Sequence, residues 1–331
     1  MLQLIMSRAV VDLKAHKRLN DSMNEKIKEK LILVDGNSLI HRAFHALPPF
    51  KTKAGELVNA VFGFYSILLN VITRFHPSHI AITFDVSKKT FRHEQYADYK
   101  ATRVKAPQEL YDQFARVKEG LIALEVPIFE REGFEADDVI ATISEKMKEQ
   151  RDIETYILTS DKDTFQLVDE KTFVLSPQKG GTENVVYDAK AIHERYGLSP
   201  DQMIDFKALR GDPSDNIPGV HGIGEKTAIN LLQKYGTLDG IYENLDSVKG
   251  ALHEKLSKGR DDAFFSKKMV TLIHDVPMDF DLEEIKFKTD DFEKIIPLFE
   301  TLEFRSLIER LRRLLPKKEI TAENPEQTSL F

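Results

Sequence analysis

Aspartates stand at the ends of three short apolar runs in this 331-residue chain. Asp35 follows Leu31–Val34, Asp85 follows His79–Phe84, and Asp161 with Asp163 follows Glu154–Thr159. A fourth acidic group, Glu135, Asp137 and Asp138, opens a helical stretch directly behind the apolar run Val126–Glu130. Carboxylates gathered in one place repel one another strongly. Hard cations such as Mg²⁺ or Mn²⁺ relieve that repulsion because they prefer oxygen ligands. Two such ions roughly 4 Å apart can clamp a phosphodiester for in-line attack by water. Taken singly, each acid could equally cap a helix or sit in a loop, and Glu135 and Asp137 could simply complement a helix dipole. The repeated coincidence of acid with strand end favours a two-ion site.

The elements needed to position these acids follow from hydrophobic period. The runs at 31–35, 79–84, 126–130 and 154–159 read as strands. Val58–Arg74, Leu110–Leu124 and Glu135–Gln150 read as the helices between them. Thr172–Ser176 and Asn184–Tyr187 flank a Gly-Gly turn and read as a hairpin. Alternating strands and helices predict an α/β domain with a mainly parallel sheet over residues 31–190, and in such sheets sites form at the carboxyl ends of strands. Residues 191–315 have helical spacing punctuated by Gly and Pro. Residues 1–30 form an N-terminal extension whose Met6 and Met23 could be alternative starts. Residues 316–331 read as a disordered polar tail.

There is no cysteine, which removes disulfides, thiolate metal sites and cysteine nucleophiles and suits a cytoplasmic location. No apolar run approaches a membrane span. The net charge of −7 is awkward for a nucleic-acid partner, yet the stretch 88–118 is locally basic. There Lys88, Lys89, Arg92, Lys100, Arg103, Lys105, Arg116 and Lys118 face only Glu94, Asp98, Glu109 and Asp112. The local field matters more to a phosphate than the chain total.

The most specific stretch runs from Asp212 to Ala228. Two predicted helices, about Pro200–Arg210 and Glu225–Lys234, bracket a Gly/Pro loop containing Gly219, Gly222 and Gly224. Gly222 and Gly224 allow close backbone approach to a ligand, and the helix opening at Glu225 offers free N–H groups to phosphate. A helix-hairpin-helix that grips duplex backbone without reading sequence has this form. A purely structural turn is the alternative. A Rossmann reading fails because no strand precedes the glycines.

Asp35-Gly-Asn, Phe84-Asp85, Glu135-Ala-Asp137-Asp138, Asp161-Lys-Asp163 and Gly211-Asp212-Pro-Ser-Asp215-Asn-Ile-Pro-Gly219 together resemble the 5′-nuclease domain of bacterial DNA polymerase I, within the flap endonuclease superfamily. The resemblance runs from about Leu31 to Arg313. It implies a PIN-like domain with a helical arch, plus a C-terminal helix-hairpin-helix region. It implies one ion among Asp35, Asp85, Glu135, Asp137 and Asp138, and a second among Asp161, Asp163, Asp212 and Asp215. It implies that Lys100 and Arg103 act on the scissile phosphate and strand, and that Arg42 contacts phosphate near the 5′ end. The segment from about Ser87 to Lys105 would form the arch. Gly219, Gly222, Gly224, Lys226 and Thr227 would hold duplex, with K⁺ bound by backbone oxygens. With no polymerase segment following, the chain reads as a stand-alone nuclease or an excised fragment.

The expected activity is structure-specific 5′-3′ exonuclease and flap cleavage of DNA by a metal-activated water, for RNA primer removal and repair, by a monomer. The tail Gln327-Thr-Ser-Leu330-Phe331 resembles the peptide that docks bacterial repair proteins on the sliding clamp, although so short a match also fits an accidental tail. A non-catalytic DNA-junction binder on the same fold is the main alternative. A haloacid-dehalogenase-type phosphatase leaves the hairpin and basic segment unexplained, and a PIN-class ribonuclease leaves the hairpin unexplained. His41, His45 and His93 read as polar helix-face residues, and Phe62, Phe64 and Tyr65 as core. Phe44 and Tyr96 are candidates for base stacking.

Overall fold

The computed structural model describes residues 29–86, 89–150, 152–178 and 184–315. Lys88, most of the N-terminal extension and the tail residues Gln327, Leu330 and Phe331 lie outside them. In chain order the elements are β1 (Glu29–Asp35), α1 (Gly36–Ala46), α2 (Asn59–Phe75), β2 (His79–Thr83), α3 (Phe91–Gln95), α4 (Gln108–Ala123), β3 (Ile128–Phe129), α5 (Ala136–Met147) and β4 (Ile153–Leu158). A short 3-10 turn (Asp163–Leu167), β5 (Thr172–Pro177) and β6 (Asn184–Tyr187) follow. The helical remainder is α6 (Ala189–Tyr196), α7 (Gln202–Arg210), α8 (Glu225–Tyr235), α9 (Leu238–Glu243), α10 (Ala251–Lys258), α11 (Arg260–Val270), α12 (Phe292–Thr301) and α13 (Arg305–Leu314).

The strands form one sheet in the order β3-β2-β1-β4-β5-β6, parallel except for the β5–β6 hairpin. The central strand explains why. Leu31 and Leu33 enter one core, Ile32 and Val34 the other, and all four are completely buried. A strand apolar on both faces needs helices on both sides, which only parallel crossovers supply. The order reverses between β1 and β4, so the crevice of the sheet opens at their carboxyl ends. Asp35 ends β1 and Ser160–Asp161 follow β4 at this point.

The two cores divide the chain differently from its linear order. One face carries α5 and the helices from α6 to α11, joined through residues such as Val139, Phe206, Leu232 and Leu256. The other carries α1, α2 and α4, and there Phe292, Ile295, Phe299, Leu307 and Leu311 of the last two helices pack beside Phe64, Tyr65 and Leu68. The final helices therefore return to the face of the sheet that carries α1, α2 and α4 instead of extending the C-terminal helical region. Among the described residues no helix is long and apolar enough to cross a membrane.

Candidate active site

The carboxyl edge of the sheet forms the floor of an open cleft of about 1460 Å³. Asp35, Asp85, Glu135, Asp137, Asp161 and Asp212 line it, together with Arg42, Lys100, Arg103 and Lys207. Each acid is placed by local chemistry. Asp35 caps α1, its carboxylate accepting the Ser38 N–H at 2.9 Å and the Thr159 hydroxyl at 2.8 Å. Asp85 accepts the Ala136 N–H at 2.8 Å, tying the end of β2 to the start of α5. Glu135 is the N-cap of α5, and Asp137 lies in its first turn, where the helix dipole favours negative charge. Asp161 accepts the Asp163 N–H at 2.9 Å.

Burial holds the Asp35 carboxyl up at about 7, against the Ser38 and Thr159 hydrogen bonds. Desolvation raises Asp85 as well, although its N–H partner and Lys100 oppose the shift. Asp137 is pushed well above the usual carboxylate range by burial, then by the charges of Asp138 and Glu135. These acids carry less cationic compensation than their number calls for.

The segment between β2 and α4 folds onto this floor. It contains one short helix, α3, followed by turns. Tyr99 is buried, and its hydroxyl donates to Glu135 at 2.9 Å and Asp215 at 3.1 Å. Lys100 takes a left-handed backbone conformation (φ 55°) and bonds Glu135 at 2.5 Å. Burial opposes its charge, but Glu135 and Asp215 more than offset this and raise its pKa. Arg103 bonds Asp215 at 2.5 Å. On the other side Lys207 of α7 pairs with Asp163 and with Asp212, the latter at 2.8 Å. Against the cost of burial, Lys207 and Ser214 bring Asp212 down to about 2.

Three expected ligands, Asp138, Asp163 and Asp215, are not among the residues that line the cleft. Asp138 is completely buried, and both its oxygens are taken by Arg92, at 2.7 and 2.8 Å, and by the N–H groups of Glu135 and Ile273. Its position as the third residue of α5 turns it away from the cleft that Asp137 faces, since successive helical residues point about 100° apart. Asp215 faces the arch cations Arg103 and Lys100, while Lys207 bridges Asp163 and Asp212.

Arg92 and Lys207 are the site residues that sequence reasoning missed. Arg92 is almost completely buried and also donates to Glu135 (3.3 Å) and to the carbonyls of Met269 (3.0 Å) and Thr271 (3.1 Å). An arginine in a basic stretch gives no signal that it is internal. Lys207 sits four residues before the Gly211 motif on a helix of ordinary composition.

The helix-hairpin-helix is formed by α7, the loop 211–224 and α8. Gly219 (φ 60°) crosses Gly211 so closely that a Cβ on Gly219 would stand 2.2 Å from the Gly211 nitrogen. This glycine serves a backbone crossing, not the approach of a ligand. Gly224, the N-cap of α8, has nothing within 4 Å of where a Cβ would stand, and Lys226 beside it is exposed. The Gly219 N–H donates to Ser266 of α11 at 3.0 Å, which braces the hairpin. Tyr96 packs edge-on against Phe265 at 5.2 Å and is not an open stacking surface.

Residues 30–197 match the family model of the 5′-3′ exonuclease N-terminal resolvase-like domain, and residues 198–293 that of the 5′-3′ exonuclease C-terminal SAM fold. The chain belongs to the 5′-3′ exonuclease family. It is 41% identical over 286 residues to DNA polymerase I of Bacillus caldotenax, covering 86% of this chain and 32% of that protein. It is 43% identical over 286 residues to DNA polymerase I of Mycobacterium leprae, covering 86% and 31%. The chain thus spans about a third of the length of the curated relatives it matches. Its fold is shared with T5 5′-exonuclease in a zinc-bound structure (TM-score 0.61, 23% identity, 86% of this chain and 100% of that one). It is shared too with the catalytic core of Rad2 in complex with DNA substrate (TM-score 0.58, 19% identity, 88% and 94%).

Among the described residues, no three His, Asp or Glu side chains converge tightly enough to hold an ion as they stand. The donor set nonetheless suits a hard divalent cation. Every candidate ligand is a carboxylate, Asp35, Asp85 and Asp137 are raised by burial, and Lys100 and Lys207 occupy the gaps between acids as internal cations.

Proposed function

We propose that the chain is a structure-specific 5′ nuclease that hydrolyses DNA phosphodiester bonds near junctions of single and double strand, leaving a 5′-phosphate on the downstream product. The observation that carries this reading is the single cleft in which six carboxylates lie beside Arg42, Lys100, Arg103 and Lys207. Titanic negative charge is not needed to bind a phosphate, so the acids make sense only with cations among them.

Asp35, Asp85, Glu135 and Asp137 would hold one divalent ion, and Asp161, Asp163 and Asp212 a second, Mg²⁺ or Mn²⁺. When bound, these ions supply an activated water and neutralise charge on the phosphate. Lys100 and Arg103 can exchange their carboxylates for the scissile phosphate, where they stabilise developing negative charge. Arg42 binds a phosphate at the α1 side of the cleft. Tyr99, buried between Glu135 and Asp215, fixes the base of the segment that presents Lys100. The free N–H groups of α8, with Lys226 and Thr227, hold the duplex backbone. The family's relation to DNA polymerase I supports primer removal and repair in the cytoplasm as the setting, with RNA-primed ends as substrates. The C-terminal Gln327, Leu330 and Phe331 would dock on a sliding clamp.

The test is cleavage of a 5′-labelled flap duplex in Mg²⁺, comparing wild type with Asp137→Ala and Asp212→Ala. Wild type should release the flap near the junction, and both variants should lose cleavage by at least a hundredfold while still binding DNA. Tight binding of the flap by wild type without cleavage in either Mg²⁺ or Mn²⁺ would replace the enzyme with a junction-binding protein.

A further inference from the structure

The cleft does not end at the acids. It continues along β5 and β6, past Ser176 and Gln178, to Tyr187, Arg195 and Arg210. The lining contributed by β5, β6 and α6 carries no carboxylate.

Among the described residues, some cations of the cleft are paired with its acids, and others, Arg42 and Lys162 included, are not. Lys100, Arg103 and Lys207 are each paired with acids of the site. Arg195 and Arg210 have no carboxylate within 4.0 Å among the described residues. Both are exposed, yet neither is loosely held. Arg195 donates to the Tyr187 hydroxyl at 2.5 Å, and its guanidinium lies 5.8 and 5.4 Å from the ring centroids of Tyr187 and Tyr196. The Arg210 guanidinium lies 5.8 Å from the ring of Phe206, which is anchored in the core. A guanidinium seated on a fixed ring has lost much of its freedom before a ligand arrives and still presents unused donors in a planar fork. Phosphate oxygens match that fork.

Position identifies which phosphates. Lys100 and Arg103 lie on the segment between β2 and α4, whereas Arg195 and Arg210 lie on α6 and α7. Arg210 is the last residue of α7, and the chain passes from it through Gly211 directly into the hairpin loop. We infer that Arg195 and Arg210 form a phosphate track for duplex DNA, continuing the hairpin's grip toward the acidic floor. This inference rests on the nuclease reading above for its choice of DNA.

The experiment measures the affinity of nicked duplexes with and without a 5′ flap, by fluorescence anisotropy in Ca²⁺ over a range of salt concentrations. It compares wild type with Arg195→Gln, Arg210→Gln, their double variant and Arg195→Lys/Arg210→Lys. Each Gln variant should weaken both substrates equally, on the order of tenfold, and lower the salt slope by about 1. The Lys pair should keep the wild-type slope with weaker binding, which separates lost charge from a disturbed fold. Unchanged affinity and slope in the Gln double variant would make these two solvated surface arginines. A loss confined to the flapped substrate would assign them to the single strand. Either result overturns the track while leaving wild-type flap cleavage in Mg²⁺ intact, whereas absence of that cleavage instead removes the nuclease reading.

Discussion

Arg92 decides what Asp138 can do. A buried carboxylate with both oxygens committed to one guanidinium and two backbone N–H groups has no lone pair aimed at the cleft. Breaking such a pair from one side leaves an uncompensated buried charge, at a cost of about 3–5 kcal/mol. Arg92→Met should therefore lower the unfolding free energy measured in urea by that much. Arg92→Met with Asp138→Leu should recover part of the loss, because the uncompensated charge is gone while the Glu135 and Ile273 N–H groups lose their acceptor. If the double variant were no more stable than the single one, the pair would not be the source of the cost.

Asp35 supports a second prediction at this scale. Its carboxyl sits at about 7 in the folded chain against an ordinary 3.8. Its contribution to stability is thus full below about pH 4 and is lost as pH rises through 7, opposite to a salt-bridged aspartate. A divalent cation that replaces the proton should raise the melting temperature more at pH 8 than at pH 6. Equal shifts at the two pH values would place the bound cation away from Asp35.

At the scale of elements, the hairpin separates two glycines that look alike in sequence. Gly219 has a left-handed φ of 60° and a backbone atom in the space of a Cβ. Gly219→Ala should destabilise the chain by at least 1–3 kcal/mol in chemical denaturation, by strain alone. Gly224 has an extended ψ of 179° and empty space beside it. Gly224→Ala should cost at most about 1 kcal/mol as an altered N-cap, while weakening duplex binding through the bulk placed at the start of α8. A large stability loss in Gly224→Ala, with unchanged binding, would mean that α8 faces no ligand there.

At the scale of the whole molecule, the last two helices matter more than their position suggests. Phe292, Ile295, Phe299, Leu307, Ile308 and Leu311 are buried in the core that also holds α2 and α4. At about 1.5–3 kcal/mol for each buried side chain, their removal forfeits roughly 9–18 kcal/mol, as much as the whole stability of a typical domain, roughly 5–15 kcal/mol. A chain ending before Phe292 should lose its cooperative thermal transition and bind a hydrophobic dye. A sharp melt in that truncation would show that the core around α2 and α4 is complete without α12 and α13. The family models stop at residue 293, just inside α12, whereas the match to DNA polymerase I of Bacillus caldotenax runs over 286 residues, more than the models span.

The sequence by itself determined the sheet and the floor of the site. Strands apolar on both faces dictate a parallel sheet flanked by helices, and acids at strand ends must then share the carboxyl edge, because every parallel strand ends on the same side. Asp35, Asp85, Glu135, Asp137 and Asp161 follow from that rule, as does the Gly-rich loop between α7 and α8. Only the tertiary structure decided which acids stay open and which are neutralised. Asp138 and Asp137 are adjacent residues of the same type, but one meets Arg92 and the carbonyl-rich end of α11 while the other meets the cleft. Likewise Asp215 turns to Arg103 and Asp163 to Lys207, pairings between residues 112 and 44 positions apart. Local period fixes where a side chain leaves its own element. The charge it meets there is set by elements distant in sequence, which no local pattern encodes.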